Sequence, residues 1–403
     1  MDCARLDPAT APESKNTVRV WLLLGKYAGD NAQVLGLGDH LAATFGWRCE
    51  TRQIRFHRSD QVPREKLPDA IDWARSDSFD PPFPDVFITC GRFYGAVAAW
   101  LKAKAGGRPL HVHFGRIAAP MTDFDLIGGT AQYGLPAAPN FMPLTLPFVR
   151  HNPARTEASL AAWRGRFAAL PRPLTAVLVG GPQSRMRFDA AEARALLNDA
   201  RTRTRATGGA LAVAFGRRTP APVRAIIAEG LAISGLAHVV SDWPAPEPNP
   251  YPALLALADR FLVTSDSASM IADACVTGRA VDLHRLPVAP FVRRISSRGF
   301  GLSIDTRRRL RDRAGRTADP LDRLRDLLVA RYWMRPWDEA LDFLAALDRA
   351  RLVDCGVTDR GRTIQAQELG AFGARVAALA AARRRGAEPE RPAFSAALFA
   401  AAD

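Results

Sequence analysis

Leu255 to Val281 reads LALADRFLVTSDSASMIADACVTGRAV. A helical end is followed by a continuous apolar run from Phe261 to Thr264, a polar turn, a second helical stretch and a second short strand. Gly278 stands where a helix commonly ends. Helix, strand, sharp turn, helix, turn, strand is the repeat of an open parallel sheet, since parallel strands need a crossover that is usually a helix.

The same unit recurs outward from this stretch. Leu174 to Gly181 (LTAVLVGG), Ala210 to Gly216 (ALAVAFG), His238 to Trp243 (HVVSDW) and Ala280 to His284 (AVDLH) are strand-like, the first two closed by glycine. Toward the N-terminus, Val18 to Gly25 (VRVWLLLG), Glu50 to Phe56, Asp85 to Gly91 (DVFITCG), Pro109 to Gly115 (PLHVHFG) and Phe124 to Gly129 (FDLIGG) repeat it, with helices over Asn31–Phe45 and Ala96–Lys104. Such apolar runs suit strands buried on both faces. The fold expected is α/β, two Rossmann-like domains whose sheet ends face a cleft. Residues 1–16 read as a disordered leader, 17–165 as an N-terminal α/β domain, 172–330 as a second one and 331–403 as helices and tail. His151 to Pro173 joins the halves through Leu-Pro-Arg-Pro, Leu170 to Pro173.

Composition bounds the function classes. At 403 residues, 48% hydrophobic and 24% charged, the chain is long enough for two cores. No run approaches the roughly 18 apolar residues of a membrane span, and the leader lacks the apolar centre of a secretory signal. Five scattered cysteines without C-x-x-C spacing argue against a disulfide framework or zinc site and fit a reducing cytoplasm. His111 and His113 share a strand face, but no carboxylate or cysteine accompanies them, so they read as partly buried strand histidines. The net charge of +14 is arginine-rich, notably over Arg307–Arg316 and Arg383–Arg385. A solvated surface covers most of it. Of the sharper readings, an anionic membrane surface is favoured over nucleic acid, because the basic runs carry no interleaved stacking aromatics.

Four loops at strand ends carry residue types suited to phosphate or proton chemistry. After Phe261 to Thr264, either Asp266 or Ser267 can cap the next helix, whose opening N–H groups make a diphosphate seat. Asp273, about a turn later, can accept ribose hydroxyls, although an ordinary capped helix explains the same spacing. Gly180-Gly181 of GGPQS lets backbone amides approach an anion, or simply makes a tight turn. Arg218 of RRTP can clamp phosphate with paired donors, or be a surface arginine. In the first half, Gly25 to Gln33 joins strand to helix without the GK[ST] of a P-loop. There Asp30 can be a general base or a helix cap.

GKYAGDNAQVLGL, GGPQS, RRTP, NPY and VTSDSASMIADACVTGRAV, in this order, resemble the "elongated mitochondria" family of plant mitochondrial fission proteins and bacterial relatives, over roughly Val18 to His284. That family is classed with GT-B glycosyltransferases. The resemblance implies that Ser184, Arg218, Ser267, Ser269 and Asp273 surround a nucleotide, with Gly29, Asp30 and Gln33 on the acceptor side. Three positions depart from the pattern. Asp273 stands for a usual glutamate, Gly216 for a common serine, and Gln132-Tyr133 for a His-Asp pair. The function expected is sugar transfer from a nucleotide diphosphate sugar, as substrate rather than cofactor and without a metal, to a lipid or glycan acceptor at the inner, cytoplasmic membrane face. The alternatives are a non-catalytic membrane-associated adaptor and a nucleotide-sugar epimerase.

Overall fold

The computed structural model describes residues 17–57, 67–182, 186–288, 320–334 and 340–386. The expected leader, residues 1–16, the part of the expected helices and tail from 387 to 403, and the basic run Arg307–Arg316 lie outside them.

The first half contains β1 (Arg19–Leu24), α1 (Ala28–Phe45), β2 (Arg48–Gln53), α2 (Leu67–Ala70), β3 (Val86–Cys90), α3 (Arg92–Lys104), β4 (Leu110–Phe114), β5 (Leu126–Thr130) and β6 (Phe141–Leu144). The second contains α4 (Pro153–Ala168), β7 (Leu174–Val179), α5 (Ala190–Thr207), β8 (Ala210–Phe215), α6 (Ala221–Ala232), β9 (His238–Ser241), α7 (Tyr251–Leu257), β10 (Arg260–Thr264), α8 (Ala268–Cys275) and β11 (Ala280–His284). Among the described residues three helices follow: α9 (Pro320–Ala330), α10 (Ala340–Ala350) and α11 (Arg360–Arg384).

Two separate parallel sheets result, ordered β2-β1-β3-β4-β5-β6 and β11-β10-β7-β8-β9. The expected fold class, α/β with two Rossmann-like parallel sheets, is the one observed. Central strands such as β3, β4, β7 and β8 are buried at every residue, which is why they read as unbroken apolar runs. The edge strand β2, RCETRQ, is only half-buried and correspondingly polar. The short β6, with Pro143 inside it, carries no such run and escaped the sequence reading; it too sits at an edge, where proline is tolerated.

Each sheet reverses its winding once, between β1 and β3 in the first and between β7 and β10 in the second. Ligands in open parallel sheets bind at such switch points, outside the carboxyl ends of the strands. Both switch points open onto one cleft.

Sequence position and packing part company in three helices. Trp163 and Phe167 of α4 lie in the second core, and Trp163 Nε1 donates to Pro248 O, so this helix packs with the second half although it precedes the linker. Val329 and Ala330 of α9 pack instead with Ile117, Phe124 and Ile127 of the first half, and Arg325 donates to Gly134 O. The last helix, α11, crosses between the two. At its start Gly361 abuts the Cys275 carbonyl, where a Cβ would stand 2.4 Å away. Further along, Phe372 is fully buried against Phe114 and Phe148 of the first core, a burial worth about 1.5–3 kcal/mol. Its terminal basic run is partly structural, since Arg383 pairs with Asp125 at 2.9 Å and Arg384 with Asp85 at 3.2 Å. No helix among the described residues is long and apolar enough to cross a membrane.

Candidate functional site

The first wall of the cleft is built at the β1–β3 switch. Gly25 N donates to Asn31 Oδ1 at 2.8 Å and Asn31 Nδ2 returns a bond to Gly25 O at 2.9 Å, so one side chain closes the loop in both directions. Gly25 is needed there, because a Cβ would fall 1.9 Å from the Tyr94 ring. Helix α1 opens earlier than its hydrophobic spacing suggested, with Tyr27 at the N-cap. Gly29 and Asp30 are therefore helical residues rather than loop residues, on the same helix as Gln33. Asp30 is not the cap; its carboxylate turns across the switch toward the end of β3. A Cβ on Gly91, which has φ +83°, would sit 2.9 Å from Asp30 Oδ2.

Around Asp30 the chain supplies a short polar relay. Gln33 Nε2 donates to Cys90 Sγ at 3.4 Å, and the Cys90 thiol donates to the Asp30 carboxylate. Burial lifts Asp30 to about 6, against the Cys90 bond and the charges of Arg116, Arg218 and Arg217, which all favour the carboxylate. The same burial pushes the Cys90 thiol well above its ordinary value, so it is a donor and not a nucleophile. Tyr133 closes this wall. A Cβ on Gly115 would stand 3.2 Å from its hydroxyl, and burial, then Cys90 and Asp30, hold that hydroxyl protonated.

His111 and His113 lie behind the wall, fully buried. His113 Nε2 faces the Arg116 carbonyl at 3.1 Å and must donate, so Nδ1 accepts from the Thr89 hydroxyl at 2.7 Å. Desolvation drops His113 to about 4 and His111 well below the usual range. Both are neutral core groups at neutral pH.

The second wall stands at the β7–β10 switch. Gly180 N donates to Thr264 Oγ1 at 2.8 Å and Gly181 N to Asp266 Oδ2 at 2.6 Å. These amides are thus committed within the protein. A Cβ on Gly180 would lie 2.3 Å from Asp266 Oδ2, and one on Gly181 would lie 2.1 Å from Arg218 O. The glycine pair lets three strand ends close on one another. Ser184, expected in the same loop, lies outside the described residues. Asp266, buried, is lifted to about 6 by that burial, opposed by bonds from Thr264 and Gly181 and by Arg218.

Ser267 occupies the N-cap of α8 without a side-chain capping bond. The first intrahelical bond is Ile271 N to Ser267 O, which leaves the N–H groups of Ala268, Ser269 and Met270 ahead of it. Asp273 is half-buried and its Oδ2 accepts the Tyr251 hydroxyl at 2.9 Å; burial lifts it to about 6. The Asn-Pro-Tyr motif is a joint around this pair. Asn249 Oδ1 accepts from Tyr251 N, and Asn249 O accepts from Ser159 of α4.

The walls meet. A Cβ on Gly29 would come within 3.1 Å of Ser269 Cβ, and the Arg217 guanidinium lies 4.7 Å from the Tyr27 ring centroid. Arg217 and Arg218 are exposed to the cleft, and both act on Asp30 of the opposite wall. Two helix N-termini, those of α1 and α8, therefore face each other beside two arginines, a strongly anion-seeking arrangement. The structure brings Asp30, Gly29, Arg218 and Ser269 to one cleft, with Ser267 at the same helix start. Gln33 stands behind Cys90, and Asp273 is held by Tyr251. Sequence reading missed Cys90 and Arg116, and marked Tyr133 only as part of the Gln132-Tyr133 departure from the family pattern. Arg116 was findable, because it follows a strand-closing glycine as the arginine pair after Gly216 does.

The model of the mitochondrial fission ELM1 family matches residues 28–331. The chain belongs to that family. The ELM1-family match spans every cleft residue from Gly29 to Asp273. Mitochondrial fission protein ELM1 of Arabidopsis thaliana is 33% identical over 190 residues, 45% of this chain and 44% of that protein. The match thus spans less than half the length of that relative. Among solved structures, UDP-GlcNAc 2-epimerase from Neisseria meningitidis aligns with a TM-score of 0.43 and 9% identity, covering 89% of this chain and 100% of that one. Medicago truncatula UGT71G1, complexed with UDP-glucose, aligns at 0.42 and 8%, covering 91% and 98%. The E. coli ADP-heptose heptosyltransferase II aligns at 0.37 and 11%, covering 66% and 84%.

Proposed function

We propose that this ELM1-family protein moves a sugar from a nucleotide diphosphate sugar to an acceptor hydroxyl, with the donor on the second wall and the acceptor on the first. The observation that carries the reading is the convergence of Asp30 and Arg218 from opposite sheets on one cleft. In this reading the Asp30 carboxylate takes the proton of the acceptor hydroxyl as its oxygen bonds to the anomeric carbon. The bond from that carbon to the diphosphate breaks, and the nucleoside diphosphate leaves. A base lifted to about 6 is ionised at neutral pH yet more basic than a free carboxylate. Arg218, Arg217 and the α8 N-terminus offset the leaving charge, a fixed electrostatic contribution that needs no reorganisation. The donor is a substrate, and no step passes through a metal. The excess of basic residues supports action at an anionic, cytoplasmic membrane face, with a lipid or glycan as acceptor.

One observation supports a second reading. Tyr133, held protonated, fills the wall beside Asp30 where the family pattern has a titratable pair, which suits a non-catalytic membrane adaptor that keeps the fold.

Calorimetry with a panel of nucleotide diphosphate sugars tests both. Arg218→Ala is expected to weaken donor binding roughly 10- to 150-fold, the equivalent of one charge-assisted bond. Asp30→Asn is expected to bind normally and to transfer at least about 10²-fold more slowly. If no sugar nucleotide binds the unaltered protein, the adaptor reading takes over; if one binds and is interconverted without an acceptor, the protein is an epimerase.

A further inference from the structure

The first wall carries more positive charge than a neutral acceptor needs. Strands β3 and β4 pair in parallel with Cys90 opposite Phe114. Each then ends in a glycine of positive φ, Gly91 at +83° and Gly115 at +80°, and each glycine is followed at once by an arginine, Arg92 and Arg116. Adjacent strands lie about 4.8 Å apart, so the two arginines follow neighbouring strand ends at the carboxyl edge of the sheet, the Arg92 guanidinium 5.5 Å from the Phe93 ring centroid. Both glycines are fixed by residues of the cleft, Gly91 by Asp30 and Gly115 by Tyr133. Arg92 also opens α3, whose N-cap has no side-chain capping bond, so the helix end adds to the positive field. The two guanidinium groups repel. Desolvation is the largest influence on Arg116 and disfavours its charged form; Tyr133 opposes it, the Arg92 charge adds a smaller push in the same direction as desolvation, and Asp30 opposes both. Two planar donors on neighbouring strand ends match a tetrahedral oxyanion better than two ammonium groups do. The donor diphosphate already has Arg217 and Arg218 on the other wall.

We infer that Arg92 and Arg116 hold a phosphate group of the acceptor, so that the acceptor is a phosphate ester whose free hydroxyl faces Asp30. The inference rests on the transferase reading above for the word acceptor, but the anion site itself does not.

Calorimetry on the full chain tests it, with inorganic phosphate titrated into the protein alone and into protein saturated with whichever nucleoside diphosphate binds. Phosphate is expected to bind in both cases. In the nucleotide-saturated protein, where the donor wall is filled, Arg92→Gln with Arg116→Gln should weaken phosphate binding at least tenfold, the corresponding lysine pair should restore it to within about threefold, and Arg218→Ala, measured at saturating nucleotide, should leave it unchanged. Should the double glutamine variant fail to melt cooperatively, Arg116→Gln alone serves, with a smaller loss in the same direction. Glycerol 3-phosphate in solution and phosphatidic acid in otherwise neutral vesicles then separate a soluble ester from a lipid, and loss through the same two arginines is expected for whichever binds. No phosphate binding in any arm, binding indifferent to both arginines, or binding abolished by Arg218→Ala would overturn the site. If phosphate binds through Arg92 and Arg116 while no nucleotide binds, the anion site stands and the transferase reading falls.

Discussion

Arg217 and Tyr27 join the two walls of the cleft: the guanidinium, at the end of β8, lies 4.7 Å from the centroid of a ring at the N-cap of α1. A cation–π contact in a partly exposed setting contributes about 0.5–1 kcal/mol, enough to bias a hinge but not to lock it. Tyr27→Ala is therefore expected to leave the melting temperature nearly unchanged while widening the cleft. Small-angle scattering checks this through a larger radius of gyration, and an unchanged radius would mean that α11 alone sets the spacing of the walls.

The glycine pair at the end of β7 makes a sharper demand. A Cβ on Gly181 would stand 2.1 Å from the Arg218 carbonyl, a backbone atom that cannot swing aside. Gly181→Ala should cost about 1–3 kcal/mol of stability by overpacking and displace Arg218 from the cleft. Gly165, exposed within α4, is the control, because a Cβ there meets nothing within 4 Å. Gly165→Ala should stabilise by about 0.5–1 kcal/mol through helix propensity alone. Urea unfolding of the two variants should move the midpoint in opposite directions.

Asp273 offers a test that depends on pH. Its carboxyl is lifted from 3.8 to about 6, so between those values the folded protein holds a proton that the unfolded chain has released. Stability from this group is complete below pH 4 and lost as pH rises through about 6, by as much as about 3 kcal/mol. His113, lowered from 6.5 to about 4, works in the opposite sense, its contribution present above pH 6.5 and lost on acidification. The wild-type curve therefore blends opposing slopes, and the difference between variant and parent isolates one group. Asp273→Asn keeps an acceptor for Tyr251 without the charge. Its stability relative to wild type is expected to rise steadily from pH 4 to pH 7, and a flat difference would show that Asp273 ionises freely.

Much of this was legible in the sequence because buried parallel strands write themselves as apolar runs closed by glycine. VFITCG and LTAVLVGG could hardly be anything else. The loops were read less well, for a physical reason. Gly181 looked like a phosphate cradle, yet its N–H is bonded to Asp266 and its missing Cβ serves a backbone contact with Arg218; glycine records that space is short without saying what fills it. Asp30 sat within a loop by spacing, whereas α1 starts at Ala28, because a helix opening on glycine and alanine shows no apolar period. Arg325 and Phe372 carry contacts to a sheet formed about two hundred residues earlier, and no local pattern announces them.

The basic surface should reveal itself through salt. Each arginine or lysine near an anionic bilayer contributes on the order of 1 kcal/mol, and exposed charges are screened beyond about 8 Å at physiological ionic strength. Cosedimentation is expected with anionic vesicles at low salt, fading as salt rises, and absent with neutral ones. Arg383 and Arg384 are engaged with Asp125 and Asp85, so Arg383→Gln should cost stability more than it costs vesicle binding. Equal pelleting with neutral vesicles would remove the membrane from the proposal.

The relay from Gln33 through Cys90 to Asp30 permits a sharper test of the base than removing it. Asp30→Asn abolishes the carboxylate, and a merely structural aspartate would also be missed. Cys90→Ala leaves the carboxylate in place and takes away a bond that lowers its pKa, while burial, the larger influence, remains. With a sugar nucleotide and acceptor in hand, kcat/KM for the unaltered protein should rise with pH through about 6 as Asp30 ionises. In Cys90→Ala that acidic limb should move to higher pH, with the plateau above it nearly restored, because the base still acts once ionised. Gln33→Leu, one step further from the carboxylate, should shift the limb less, since it touches only the sulfur. A limb that stays put in Cys90→Ala while the plateau falls would mean that Cys90 merely packs the wall and that another group sets the pH dependence.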